Sequence, residues 1–330
     1  MKPSLHHNRL ILTMALLSTC FVATAVQAST SLNVPFTSQS PESIWVQPWQ
    51  DACEETSVLM VHRYYMSNDI ETTTEAKHAI LEIFDIKHVL FEESFDETVA
   101  VMAETINNFL PWSARVVENP TIADIKAEID ARRPVIVPAY APALHNAYFR
   151  GYFPYHMFVI SGYDDTEQVF IAEDPGTRYG HSYRYTYETV MNAMHDFVSG
   201  NTENGPKRVL FTSPDLGATA QLDGDKDNLS KAEEISAGTV SYLFDSDGDG
   251  FGDGIEVQYG YLPTKNEQRV IQQRALLIAP QSPHVYYIDA GKKRHIPNES
   301  IFYRHGWNWN MLEWISNTMM NSLPEGTPLT

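Results

Sequence analysis

Cys53-Glu54-Glu55-Thr56-Ser57-Val58-Leu59-Met60-Val61-His62-Arg63-Tyr64-Tyr65 reads as a helix with a broad apolar face, entered on a cysteine. Three further helices follow, each opened by a Ser or Thr with an acid three residues on: Thr72 with Glu75, Ser94 with Glu97, and Thr121 with Asp124. Behind Thr121, Ile122, Ile125 and Ile129 repeat at helical spacing until Pro134 stops the pattern. Upstream, Leu32-Asn33-Val34-Pro35-Phe36 predicts a short edge strand. Beyond Pro134 the period changes: Val135-Ile136-Val137-Pro138, His156-Met157-Phe158-Val159-Ile160, Gln168-Val169-Phe170-Ile171-Ala172 and Arg208-Val209-Leu210-Phe211 are short apolar or alternating runs separated by turn residues. Helices before strands predict an α+β domain, a helical half packed on an antiparallel sheet, ending near Thr212.

The chain of 330 residues is long enough for two or three modules, and 43% hydrophobic with 12% aromatic residues is enough for a core. Four segments are expected: a signal peptide over 1–28, the α+β domain over 29–212, an acidic segment over 213–268 and a small α/β module over 269–330. The signal is read from Lys2 and Arg9, the mostly apolar run from Leu10 to Ala25, and Val26-Gln27-Ala28 as the cleavage site after Ala28. It predicts a secreted or periplasmic protein with no transmembrane segment in the mature chain. A formal charge of -19 argues against a nucleic-acid partner, since a phosphate polymer would be repelled.

Cleavage would remove Cys20 and leave Cys53 as a lone thiol in an oxidising compartment, where it is either a nucleophile or an inert buried group. A helix start favours the thiolate. Glu54 and Glu55 oppose it: at roughly 7 Å each would raise the thiol by about 0.4 to 1.7 pKa units, less than a histidine partner takes away. His156 opens the most strand-like apolar run, and Asp174 closes the next strand, so neighbouring antiparallel strands could set them side by side. His145 and His181 are the competitors.

Val34-Pro35-Phe36-Thr37-Ser38-Gln39, Asp51-Ala52-Cys53-Glu54-Glu55, Pro134 to Pro138, His156 to Asp165 and Glu173-Asp174-Pro175-Gly176-Thr177 together resemble the bacteriocin-processing cysteine peptidase-like family, over roughly residues 32 to 212. The resemblance implies a papain-like fold and a secreted cysteine peptidase. In it Cys53 is the nucleophile, His156 the general base and acid, Asp174 the group orienting His156, and a glutamine the oxyanion donor. Gln39 matches the Val-Pro-x-x-x-Gln form; Gln47, six residues before Cys53, is the alternative. The chain departs from many members in having Glu54-Glu55 where they have Gly-Pro.

Asp245-Ser246-Asp247-Gly248-Asp249-Gly250-Phe251-Gly252-Asp253-Gly254-Ile255-Glu256 fits the twelve-position calcium loop: carboxylates at Asp245, Asp247, Asp249, Asp253 and Glu256, the Phe251 carbonyl at position 7, and Gly250 at the sharp turn. Asp223, Asp225, Asp227 and Glu234 repeat the pattern earlier, with Asn228 at the turn. The pair resembles the calcium repeats of thrombospondin type 3 and dockerin-like segments, which implies a structural calcium and none for catalysis. Val285-Tyr286-Tyr287-Ile288, Lys292 to Pro297 and Gly306-Trp307-Asn308-Trp309 resemble a small repeat module of secreted bacterial proteins, whose aromatics could touch glycan or envelope. The expected partner is a peptide or cell-envelope peptide substrate. The competing functions are a thiol amidase or transpeptidase, and a calcium-binding adhesion or envelope-binding protein with an inactive peptidase fold.

Overall fold

The computed structural model describes residues 29–91 and 96–330; the expected signal segment 1–28 and the Ser94 helix start lie outside them. In chain order the first half runs β1 (Ser29–Ser31), α1 (Cys53–Met66), α2 (Thr73–Leu90), α3 (Val99–Phe109), β2 (Ser113–Glu118), α4 (Ile122–Asp130), β3 (Val135–Tyr140), β4 (Tyr155–Asp164), β5 (Val169–Glu173), β6 (Tyr183–Thr186), α5 (Tyr187–Ala193) and β7 (Arg208–Ser213). Thr72 caps α2 by accepting the Glu75 amide, and Thr121 with Asp124 forms a full capping box on α4; such caps stabilise a helix by about 1 kcal/mol each. Helix α3 is capped by Thr98, which accepts the Val101 amide, so it starts later than a Ser94 cap would place it.

The strands form one seven-stranded sheet in the order β2-β7-β3-β4-β5-β6, with β1 on β4, and every pairing is antiparallel. Strand β4 is buried along almost its whole length, which is why it reads as an unbroken apolar run instead of an alternating one. The edge strand β2, half exposed and carrying Arg115 and Glu118, has no such signature; it interrupts the helices-first order expected from the sequence. The first strand also lies earlier than Leu32–Phe36. Ser29–Ser31 pair with Asp164–Gly162, and only the Leu32 amide, bonded to Ser161 O, continues the contact. Gly162 permits it: a Cβ there would stand 2.5 Å from Thr30 O. Val58, Leu59, Met60 and Val61 of α1 pack with the β3 and β4 interior in a single core.

The second half contains α6 (Lys231–Ala237), α7 (Asp253–Tyr259), α8 (Glu267–Ile271), β8 (Leu276–Ile278), β9 (Tyr286–Asp289), β10 (Lys292–His295), α9 (Glu299–Arg304), β11 (Leu312–Trp314) and α10 (Asn317–Ser322). The four terminal strands make a separate sheet, β10-β9-β8-β11, over small cores centred on Leu277, Ile288 and Ile315 and on Leu276, Ile296 and Phe302. The acidic stretch before them is docked on the first half. The buried Lys231 ammonium donates to Asn107 O at 2.8 Å and Trp112 O at 3.3 Å, while Gly224 lies so close to Phe109 that a Cβ would meet the ring at 2.3 Å. Among the described residues no helix is long and apolar enough to cross a membrane.

Candidate active site and acidic loops

Cys53 is the first residue of α1 and His156 the second of β4, and both line a cleft of about 850 Å³. The helix start leaves amides unpaired, and the sheet fixes the imidazole because β4 is held on both sides. Asp174 follows β5 directly. The β4–β5 register pairs Val159 with Glu173, so the next residue comes back alongside His156. The result is a 2.7 Å hydrogen bond between His156 Nε2 and Asp174 Oδ1. That bond leaves Nδ1 as the ring nitrogen for proton exchange with a nucleophile.

Asp174 is wholly buried and fully engaged. Its Oδ1 also accepts the Gly176 amide at 2.9 Å, and its Oδ2 accepts Tyr185 Oη–H at 2.5 Å and the Asn146 side-chain amide at 3.2 Å. Burial alone would raise this carboxyl, but the His156 charge and these donors outweigh it and hold it below the usual range. Phe149 and Phe153 pack edge-on against the His156 ring at 5.2 and 6.1 Å and shield it from one side. Neither Asn146 nor Tyr185 was singled out in the sequence. The alternation of Tyr183 and Tyr185 marks a strand face, but nothing local says that the face meets Asp174.

The thiol differs from the sequence expectation. Cys53 is 3% exposed, and its Sγ and Glu54 Oε2 are hydrogen-bonded at 2.9 Å, so Glu54 is in contact with it and not some 7 Å away. Burial first, then the Glu54 charge and hydrogen bond, push the thiol well above its ordinary value, while the Met157 amide pulls the other way. Glu54 is itself buried and accepts the Glu97 amide on Oε1 at 2.8 Å; burial, then Glu55 and Asp96, raise it well above the carboxylate range. Glu55 pairs with Lys87 at 2.7 Å, both side chains wholly buried, and burial against the opposing Lys87 charge leaves it at about 7.

Gln39 lines the cleft, whereas Gln47 is exposed and donates to Asp51. The Gln39 amide nitrogen donates to Trp49 O at 3.2 Å and Gln50 O at 2.9 Å, leaving its buried Oε1 without a partner. His181 is bound to Glu173 at 2.8 Å with 64% of its side chain exposed, and His145 closes the short turn after β3; neither lines the cleft.

In the acidic segment, carboxylate oxygens of Asp223, Asp225 and Asp227 lie within 4.8 Å of one another, as do those of Asp245, Asp247 and Asp249. A third cluster joins Asp227 and Glu234 of the first loop to Asp253 of the second. Spacing along the chain assigns Asp253 to its own loop, so this juxtaposition is tertiary. Asp253 also accepts the Ser246 amide at 2.9 Å, and Asp227 accepts the Gly254 amide at 2.8 Å. Phe251 turns its ring outward, and Gly250 adopts the positive φ of 98° that the turn demands. Asp225 Oδ2, Asp247 Oδ2 and Glu256 Oε2 are buried without a partner. Burial first, then neighbouring carboxylates, push Glu234 and Glu256 up to about 8. Clustered carboxylates with orphaned oxygens in each loop fit a hard divalent cation.

A family profile described as Peptidase_C39 like family matches residues 31–199. No curated protein matches the sequence significantly. Among solved structures, a chain described as a C39-like peptidase from Bacillus anthracis is similar at 15% identity and a TM-score of 0.38, covering 56% of this chain and 97% of its own.

Proposed function

The chain belongs to the Peptidase_C39 like family, with its papain-like α+β fold, and we propose that it hydrolyses peptide bonds with Cys53 as nucleophile, His156 as general base and acid, Asp174 as the group orienting His156, and Gln39 as oxyanion donor. The observation that carries this reading is the 2.7 Å bond from His156 Nε2 to Asp174 Oδ1, on a ring that shares a cleft wall with Cys53. The sulfur attacks the acyl carbon as its proton passes to His156 Nδ1. Gln39 then donates to the carbonyl oxygen as charge builds there, exchanging one of its present backbone acceptors for it. Collapse expels the amine, protonated by His156, and water attacks the thioester by the reverse proton path. Asp174 keeps the ring oriented and stabilises its charged form, without taking the proton.

The protein acts outside the cytoplasm on peptide or envelope peptide, and the terminal module offers Trp309 and Trp314, 45% and 54% exposed, to glycan or envelope. Asp223, Asp225, Asp227 and Glu234, with Asp245, Asp247, Asp249, the Phe251 carbonyl, Asp253 and Glu256, hold structural calcium. In the test, iodoacetamide labels Cys53 at pH 6 faster than free cysteine, His156→Ala removes the difference, and Cys53→Ala abolishes hydrolysis of a peptide library. One observation favours a second reading, a calcium-stabilised binding protein with a silent site: the thiol is buried and bonded to Glu54. Labelling no faster than free cysteine, with no hydrolysis, decides for it.

A further inference from the structure

The Cys53–His156 reading leaves a buried carboxyl in contact with the nucleophile. Resting on that reading, we propose that Glu54 is a further catalytic residue, a protonated carboxyl whose Oε2 hydrogen is held against Cys53 Sγ and steadies the thiolate while the thiol's own proton goes to His156.

Geometry determines where the proton sits. Glu54 Oε1 accepts the Glu97 amide at 2.8 Å, so a proton on this carboxyl belongs on Oε2, which lies 2.9 Å from Sγ. With that proton in place the hydrogen bond runs from Oε2 to sulfur, and the S–H is released toward the imidazole. An ionised Glu54 does the opposite: it accepts the S–H and sets a second negative charge against any thiolate, in a pocket where both groups are almost wholly out of water.

The surroundings favour the neutral form. Along α1 and its approach stand Glu55 and Asp51; α2 supplies Lys87, which pairs with Glu55 at 2.7 Å. The lead into α3 brings Asp96 and Glu97, β4 brings Tyr155 and His156, and Asp196 lies beyond Tyr155. Burial, then Glu55 and Asp96, raise Glu54 accordingly. In the chemical step the S–C bond forms and the S–H proton passes to His156. At Glu54 no bond is made or broken: its O–H donates to sulfur in the thiolate and keeps its hydrogen throughout.

Glu54→Gln preserves the shape, its Oε1 still accepting from Glu97 and its Nε2 donating toward Sγ, whereas Glu54→Leu removes the donor. Infrared spectra of the full chain at pH 7 should contain the carbonyl stretch of a buried protonated acid that Glu54→Gln lacks. Alkylation of Cys53 by iodoacetamide should fall about 10- to 100-fold in Glu54→Leu, as loss of a hydrogen bond to a charged group implies, and Glu54→Gln should recover most of the loss. Absence of the infrared band, or a Glu54→Leu thiol as reactive as the parent's, overturns the proposal. Because Glu54→Leu can fail to fold, the infrared comparison decides in that case. His156→Ala separates the two readings: if its thiol equals the parent's, the ion pair itself fails, whereas a slow His156→Ala beside an unaffected Glu54→Leu removes only Glu54.

Discussion

At the start of α1, Glu54 and Glu55 are wholly buried, one bonded to a thiol and the other to Lys87. In the acidic loops, Asp223, Asp225 and the buried Asp227, and again the half-buried Asp245, Asp247 and Asp249, face one another with no ammonium paired to them among the described residues. Both regions crowd carboxylates and both keep orphaned oxygens, Glu55 Oε2 in the first and Asp225 Oδ2, Asp247 Oδ2 and Glu256 Oε2 in the second, but only the first sets an ammonium, that of Lys87, against its charge. A carboxyl met by an internal donor can hold a nucleophile in place. Carboxylates that cluster with oxygens left unpartnered suit the calcium role proposed for these loops.

The largest effect that could break this contrast is at Lys87. Lys87→Met strands Glu55 in the core and should destabilise the protein by about 3–5 kcal/mol, read by urea unfolding. The double variant Lys87→Met with Glu55→Leu should recover most of that, since a well-packed apolar pair can replace a buried ion pair. Full loss in the double variant would mean the pair does more than neutralise itself.

Next comes calcium. Chelation should lower the melting temperature and expose residues 213–268 to protease, by about 2.7 kcal/mol if the ion stands at a hundred times its dissociation constant. The rate of Cys53 alkylation should stay the same. If chelation silenced the thiol, the two regions would not be separate.

A smaller change sharpens the loop geometry. Because Asp253 lies with Asp227 and Glu234, Asp253→Asn should weaken the filling of both loops in a calcium titration, whereas Glu256→Gln should weaken one. Equal single-site effects would return Asp253 to its own loop alone.

The smallest is an acid effect. Asp174 is held below its ordinary value in the folded chain, so its stabilisation is complete above the unfolded value of about 3.9 and is lost as pH falls through the lower folded one. Asp174→Asn should therefore flatten the acid limb of the melting temperature below pH 4. An unchanged limb would show that Asp174 is not held low.

What could be read before folding follows local periodicity. Thr72 and Thr121 announce α2 and α4 because a cap is made within four residues, and the buried β4 shows as an apolar run. His156 and Asp174 were legible as neighbours because each lies at the end of a strand-like run, and the structure puts them 2.7 Å apart. Strand β2 was not legible, since a half-exposed edge strand with Arg115 and Glu118 carries no alternation to find. The preference for Gln39 over Gln47 rests on the motif resemblance alone; that Gln39 lines the cleft while Gln47 is exposed depends on how 39–53 folds.

By itself, then, the sequence determined the α+β order of most elements, a thiol at a helix start, and the carboxylate spacing of the loops, all set by residues within a few positions of one another. The tertiary structure alone decided that Glu54 turns back onto Cys53 because the Glu97 amide holds its other oxygen, that Asn146 and Tyr185 close around Asp174, and that Asp253 crosses to Asp227. Each of these arrangements depends on a partner distant in the chain, Glu97 for Glu54, Asn146 and Tyr185 for Asp174, and Asp227 for Asp253, and packing and burial, not local propensity, choose among the partners within reach.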